Sequence, residues 1–130
     1  MRLKAGELGC SEGYYNLGKA YNYGDGVEVD MKKAQYYYEL ATIGGDMMAR
    51  YKLGVFENHA GNTHRAMKHF TLAAKAGDKL SLNCVKVYFM DGSITKDDYA
   101  NTLRAHQNSR DEMKSEQRDI TNMFFQQELT

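Results

Sequence analysis

Histidine and cysteine are the side chains here best suited to chemistry, and their spacing does not arrange them for it. His59, His64 and His69 are five residues apart. On a helix that spacing turns each about 140° from the last. Helical metal pairs sit at i, i+4, and no cysteine or acidic side chain completes a ligand set beside these histidines. They are expected to be solvated or to sit at helix ends, with no metal and no cofactor. Cys10 and Cys84 are the only cysteines. Cys84, next to Val85 on an amphipathic segment, reads as a small buried hydrophobe. Cys10 lies near a helix start. No Ser-His-Asp, Cys-His or phosphate-loop arrangement is present. Gly24-Asp25-Gly26 is too short for a nucleotide loop and follows a helix rather than a strand. The run Tyr36-Tyr37-Tyr38 points around a helix, so at least one ring must be exposed, and structural filling is its expected role. The chain reads as a non-enzyme.

The elements that carry these residues come as a repeat. Tyr15-Asn16-Leu17-Gly18 recurs as Tyr51-Lys52-Leu53-Gly54, an offset of 36. Ala34, Tyr38 and Ala41 recur as Ala66, Phe70 and Ala73, an offset of 32. The difference falls in a loop, where Gly24 to Asp30 shrinks to Gly61-Asn62. A period in the mid-thirties with length variation confined to a loop marks a stacked-repeat protein. Helices are expected over 12–23, 31–43, 47–59, 63–76 and 79–90, with a further helix from Lys96. In the first, Gly13, Leu17, Ala20, Tyr21 and Gly24 share one face of the 3.6 period and are expected to pack. Asp30 and Asn62 are N-cap candidates, and Thr95 with Asp98 resembles a capping box. The helix from Lys96 is expected to turn Tyr99, Leu103 and, at the end of the stripe, His106 inward. Short connections make each pair antiparallel. The fold class is all-α, an α-solenoid of antiparallel helix pairs.

The expected division is 1–9 as the end of a preceding repeat helix, 10–45 and 46–77 as two full repeats, 78–118 as a divergent capping repeat, and 119–130 as a tail. Leu3-Lys4-Ala5-Gly6-Glu7-Leu8-Gly9 reads as the end of a second helix, as in Leu72-Ala73-Ala74-Lys75-Ala76-Gly77. The chain is therefore either a piece of a longer solenoid or has an uncapped first face, through which it could self-associate. Beyond Asn108 the pattern turns polar, as a solenoid cap should. The tail, with Met123, Phe124, Phe125 and Leu129, has two placements: folded back on the last helix, or free.

With 17 basic and 17 acidic residues in 130, net charge is zero. Nucleic-acid binders normally show a basic face, so no nucleic-acid partner is expected. The same balance argues against electrostatic membrane binding. No apolar stretch approaches the roughly 18 residues of a membrane span, and Arg2 to Glu7 is polar where a signal peptide would be apolar. Two cysteines in different repeats read as unpaired thiols of a reducing compartment, so a cytoplasmic location is expected.

The pattern resembles the Sel1-like repeat, a relative of the tetratricopeptide repeat. In the first repeat the matching residues are Gly13, Tyr15, Leu17-Gly18, Tyr21, Gly24-Asp25-Gly26-Val27, Asp30, Lys33-Ala34, Tyr37-Tyr38, Ala41 and Gly44. In the second they are Ala49, Tyr51, Leu53-Gly54, Asn62, Arg65-Ala66, Phe70, Ala73-Ala74 and Gly77. The resemblance implies a right-handed superhelix and a role as a scaffold or adaptor in protein complexes. A cysteine-rich bacterial branch of the family is linked to β-lactam binding or slow hydrolysis, and it pairs cysteines within each repeat. This chain has no such pairs. A third class is a structural segment of a longer solenoid without a ligand of its own.

In this superfamily the first helices of the pairs line the concave face. By that resemblance the partner-binding residues are Tyr15, Lys19, Asn22 and Tyr23 in the first repeat, Met48, Tyr51, Val55, Asn58 and His59 in the second, and Asn83, Val87 and Met90 in the third. An aromatic and amide groove suits an extended peptide or a helix of a protein partner. For Tyr15 and Tyr51, packing between repeats is the competing role. Mid-helix Gly18 and Gly54 cost about 1 kcal/mol each against alanine, which close approach of the paired helix explains.

Overall fold

A computed structural model describes residues 5–129, with side chains described for 10–127. Six helices follow in order: α1 (Ala5–Tyr23), α2 (Met31–Ile43), α3 (Met47–His59), α4 (Thr63–Lys75), α5 (Lys79–Met90) and α6 (Lys96–Leu129). No strand occurs among the described residues. Caps set the starts. The Asp46 carboxylate accepts from the Met48 and Ala49 amides at 2.9 and 3.0 Å. Asp78 does the same for the Ser81 amide at 2.9 Å and its hydroxyl at 2.6 Å. Asp30 accepts from the Lys33 amide and Thr95 Oγ1 from the Asp98 amide, both at 3.1 Å. Asn62 occupies the N-cap of α4 without a side-chain bond. Gly45 and Gly77, at φ +96° and +105°, carry the chain from one repeat to the next in a conformation other residues resist.

The core lies between neighbouring helices rather than at one centre. Ala34, Tyr38 and Ala41 of α2 are buried together with Ala49 and Leu53 of α3, and Tyr14, Tyr15, Tyr21 and Phe56 close around them. Ala66, Phe70 and Ala74 of α4 are buried with Val85 and Tyr88 of α5, with Tyr51 and Val55 of α3 against them. Each second helix is thus covered by its own first helix and by the next one. The alanines permit the close approach. The aromatic ring fills the centre.

The two mid-helix glycines sit under those rings. A Cβ on Gly18 would lie 2.6 Å from Tyr38 Cδ1, and one on Gly54 2.7 Å from Phe70 Cε1. Both distances are below any real carbon contact, so glycine is required here by packing.

Four features differ from the sequence expectation. In α1 the packing face holds Ser11, Tyr14 and Gly18, while Gly13 and Leu17 face outward. The tyrosine rings need the room over α2, and Ser11 donates to the Ala41 carbonyl at 2.7 Å. Second, Ala5–Gly9 continue α1 without a break, so no helix end stands between 1–9 and the first repeat; Leu3 and Lys4 lie outside the described residues. Third, α6 is one 34-residue helix. No glycine or proline interrupts Lys96 to Leu129, so the segment expected as a separate tail extends the helix through Leu129, leaving Thr130 outside the described residues. Fourth, Leu103 is exposed and Thr102 turns inward in its place, while His106 is buried as the stripe implied. The reason is that α6 lies across α4 as well as α5. His106 Nδ1 meets the Ala74 carbonyl at 2.8 Å, and Ser109 donates to the Lys75 carbonyl at 2.6 Å.

The same helical context predicts opposite signs at two glycines. Gly54→Leu should cost about 2–3 kcal/mol through overpacking against Phe70. Gly13→Ala, with nothing within 4 Å of the added carbon, should gain up to about 1 kcal/mol of helix propensity. Urea midpoints decide it; a shift of the same sign in both variants would remove the close-packing account.

Candidate functional site

The first helices α1 and α3 hold one polar and aromatic cluster between them. Tyr15 and Tyr38 tilt against each other at 5.8 Å between ring centres. Tyr38 is buried, and its hydroxyl accepts from Asn22 Nδ2 at 3.3 Å. Tyr23, 62% exposed, reaches the second repeat: Lys52 Nζ donates to its hydroxyl at 2.8 Å and lies 5.2 Å from its ring centre. Burial pulls the Lys52 ammonium down, but the Tyr23 bond and the Tyr38 and Tyr15 oxygens outweigh it and leave it above its ordinary value. Burial raises the Tyr15 and Tyr38 hydroxyls. These phenols therefore stay protonated and serve as hydrogen-bonding groups, not bases.

Beside this cluster lies a cleft of about 520 Å³ between α1, α2 and α3. Asn22, Tyr23, Val55 and His59 line it, four of the residues expected on the partner-binding face. Met31 and Gln35 of α2 and Lys52, Phe56 and Glu57 of α3 complete the wall. The remaining expected residues stand elsewhere. Tyr51 is half-buried, tilted against Phe70 at 5.6 Å. Lys19 Nζ lies 5.4 Å over the Tyr15 ring. Met48 is half-buried, and Asn58 and Asn83 are exposed. Val87 and Met90 project from α5, largely exposed.

Sequence reasoning missed Lys52, Met31 and Gln35. Lys52 is one residue off the chosen face of α3, and its role depends on a tyrosine 29 positions earlier, which no local spacing reveals. Met31 and Gln35 belong to a second helix, which a first-helix rule passes over.

The reactive side chains are dispersed. His59 and His64 are exposed, His69 is half-buried, and His106 is bound to a backbone carbonyl. No group of three metal-ligating side chains occurs among the described residues. Cys10 and Cys84 are free. Burial, then the Asp78 charge, pushes the Cys84 thiol up, away from the thiolate a nucleophile needs. In the tyrosine run, Tyr38 is buried, Tyr37 stacks between Tyr14 and Tyr21 at 6.2 and 5.7 Å, and Tyr36 is exposed. No helix among the described residues is long and apolar enough to cross a membrane.

One polar group flanks the cleft at the α3–α4 contact. The Glu57 carboxylate faces Arg65 at 3.9 Å, yet Glu57 Oε2 and His69 Nδ1 are buried without a hydrogen-bond partner. Burial lowers the His69 pKa, Arg50 adds to that, and Glu57 opposes both.

The model of the Sel1 repeat matches residues 11–46 and 48–78, more than half of the chain. No curated protein matches it. The chain belongs to the Sel1 repeat family, and its six helices form a helical solenoid. Sel1 repeats generally mediate protein–protein interaction and are typically non-enzymatic modules.

The lowered His69 pKa fixes a pH dependence. The unfolded chain binds the proton near pH 6.5, the folded chain only at lower pH. Stability is therefore full above the unfolded value and is lost as pH falls through the folded one. Between about pH 7 and about pH 5, His69→Gln should lose less melting temperature than the parent chain. Parallel curves would show that His69 does not carry the effect.

Proposed function

We propose that this member of the Sel1 repeat family is a scaffold or adaptor module that binds an extended peptide or a helix of a protein partner on its row of first-helix faces. The cleft between α1, α2 and α3 is the anchor point of that surface. One observation carries the reading: Asn22, Tyr23, Val55 and His59, from two repeats, line a single cleft of about 520 Å³. Met31, Val55 and Phe56 supply apolar wall. Asn22, Gln35 and Lys52 supply donors for a partner's backbone carbonyls. A mostly apolar cleft with a few convergent polar groups is a usual binding-site form. Tyr23 is held by Lys52 rather than buried, so its ring is pre-oriented and still accessible. Lys19, Met48, Asn58, Asn83 and Val87 extend the surface along the stack, while Tyr15 and Tyr51 support it through their packing on Tyr38 and Phe70. Two free thiols in different helices fit a reducing, intracellular setting. The reading includes no catalytic step, and a chromogenic β-lactam should not be turned over.

The test begins with affinity capture from lysate and mass spectrometry, followed by titration of the captured partner. An aromatic anchor at a groove centre typically carries 2 kcal/mol or more. Tyr23→Ala should weaken binding at least about tenfold, or about 1.4 kcal/mol, with the melting temperature retained. Leu72→Asp, on the outer face of α4, should leave binding unchanged. Loss in the Leu72 variant with none in the Tyr23 variant would move the site off the cleft.

A further inference from the structure

Of the lysines whose side chains are described, Lys52 alone is half-buried, and the others are exposed. It lines the cleft between α1, α2 and α3. Its ammonium donates to the Tyr23 hydroxyl at 2.8 Å and lies 5.2 Å from the centre of that ring. Both contacts are with a neutral group. The single ion pair among the described residues is Arg65 with Glu57 at 3.9 Å, so no carboxylate stands within 4 Å of Lys52. The acids around it are engaged. Asp46 and Asp78 hold the starts of α3 and α5, and Glu57, in the cleft wall, is answered by Arg65.

Taking an ammonium partly out of water costs free energy that a phenol returns only in part. A partner's backbone carbonyl does not need that charge, because an amide donates to it as well, and the cleft already holds Asn22 and Gln35. What an amide cannot do is answer a negative charge. The donors suit one. An ammonium has three N–H groups, and Tyr23 takes one of them. The Tyr23 hydroxyl accepts from Lys52, so its own proton is left to donate. On the same face the exposed Lys19 ammonium lies 5.4 Å over the Tyr15 ring and adds a second positive charge without a carboxylate.

We propose that the partner segment in this cleft presents a carboxylate to Lys52, from an aspartate or glutamate set beside a large apolar residue. The ligand class is an acidic, hydrophobic peptide. The inference rests on the cleft being the binding surface. The acid gives Lys52 the charge partner that the fold withholds. The apolar neighbour packs on Met31, Val55 and Phe56 and keeps water from the ion pair, which strengthens it. A nucleic-acid strand needs a row of cations for its phosphates, whereas here a single half-buried ammonium stands in an apolar wall.

Short random peptides displayed on phage would be selected on the immobilised full chain. The strongest binder would be synthesised twice, once with its acid and once with the matching amide. Both would be titrated by fluorescence anisotropy against the parent, Tyr23→Ala and Lys52→Met chains, with melting temperatures measured alongside. Selected peptides should share an acid next to a large apolar residue. The amide version should bind the parent at least about tenfold more weakly, and Lys52→Met should bind the two within about twofold of each other. A merely structural role for Lys52 would weaken both peptides alike. Between about 50 and about 500 mM salt, affinity of the parent for the acid peptide should fall and that for the amide peptide should hold; this arm needs no variant to fold. Peptides that are lost with Tyr23→Ala yet show no acid preference, no salt dependence, or a preference unchanged in Lys52→Met would overturn the inference and leave the cleft reading standing. Binding untouched by Tyr23→Ala, or no peptide selected at all, would overturn the cleft reading and this inference with it.

Discussion

The structure depends on one contact made twice: an aromatic ring of a second helix laid over a glycine of the first. Tyr38 covers Gly18, and Phe70 covers Gly54. Every other feature of a repeat follows from it. The glycine lets the helices approach until only a ring fits between them. The ring, once there, is wide enough to touch the next first helix, as Tyr38 touches Phe56 and Phe70 touches Tyr88 at 5.8 and 6.2 Å. The contact within a repeat is therefore also the contact between repeats. That is how a helix pair too small to hold a core of its own becomes stable in a stack.

The third pair shows what happens without it. At the offset of 32, the glycine position is Lys86 and the ring position is Thr102. A lysine cannot lie under a helix, and Lys86 points to solvent. α6 consequently finds partners on α4 and the turn that follows it: His106 at the Ala74 carbonyl, Ser109 at Lys75, and Arg110 at Gly77 at 3.4 Å. Met113 closes over Gly77. Past that point nothing stops the helix, because the sequence offers it neither glycine nor proline. The polar run meets the previous repeat through Ser109, Arg110 and Met113 and is exposed beyond them.

Much of this was legible in the residues. The repeat offset, the glycine pair and the loop glycines placed α2 to α5 almost to the residue, because each boundary has a local chemical cause such as Asp46 or Gly77. The direction of α1 was harder. Its apolar periodicity pointed to Gly13 and Leu17, which face outward, as well as to Tyr21, which packs, while the contact with α2 also uses Tyr14 and Gly18. Periodicity finds apolar faces and does not say which neighbour fills them. The cleft was legible only in part. Asn22, Tyr23, Val55 and His59 follow from the first-helix rule, whereas Lys52, Met31 and Gln35 come from contacts between repeats that only the fold reveals.

The proposed function rests on the cleft, and hydrogen exchange with the captured partner tests it most directly. Exchange of the chain's amides would be followed by mass spectrometry with and without saturating partner. Residues 22–35 and 52–60 should gain protection, since binding there slows the local opening that exchange requires. Residues 63–75 of α4, on the outer side, should not change. Protection gained along α4 with none around Tyr23 and Lys52 would contradict the account.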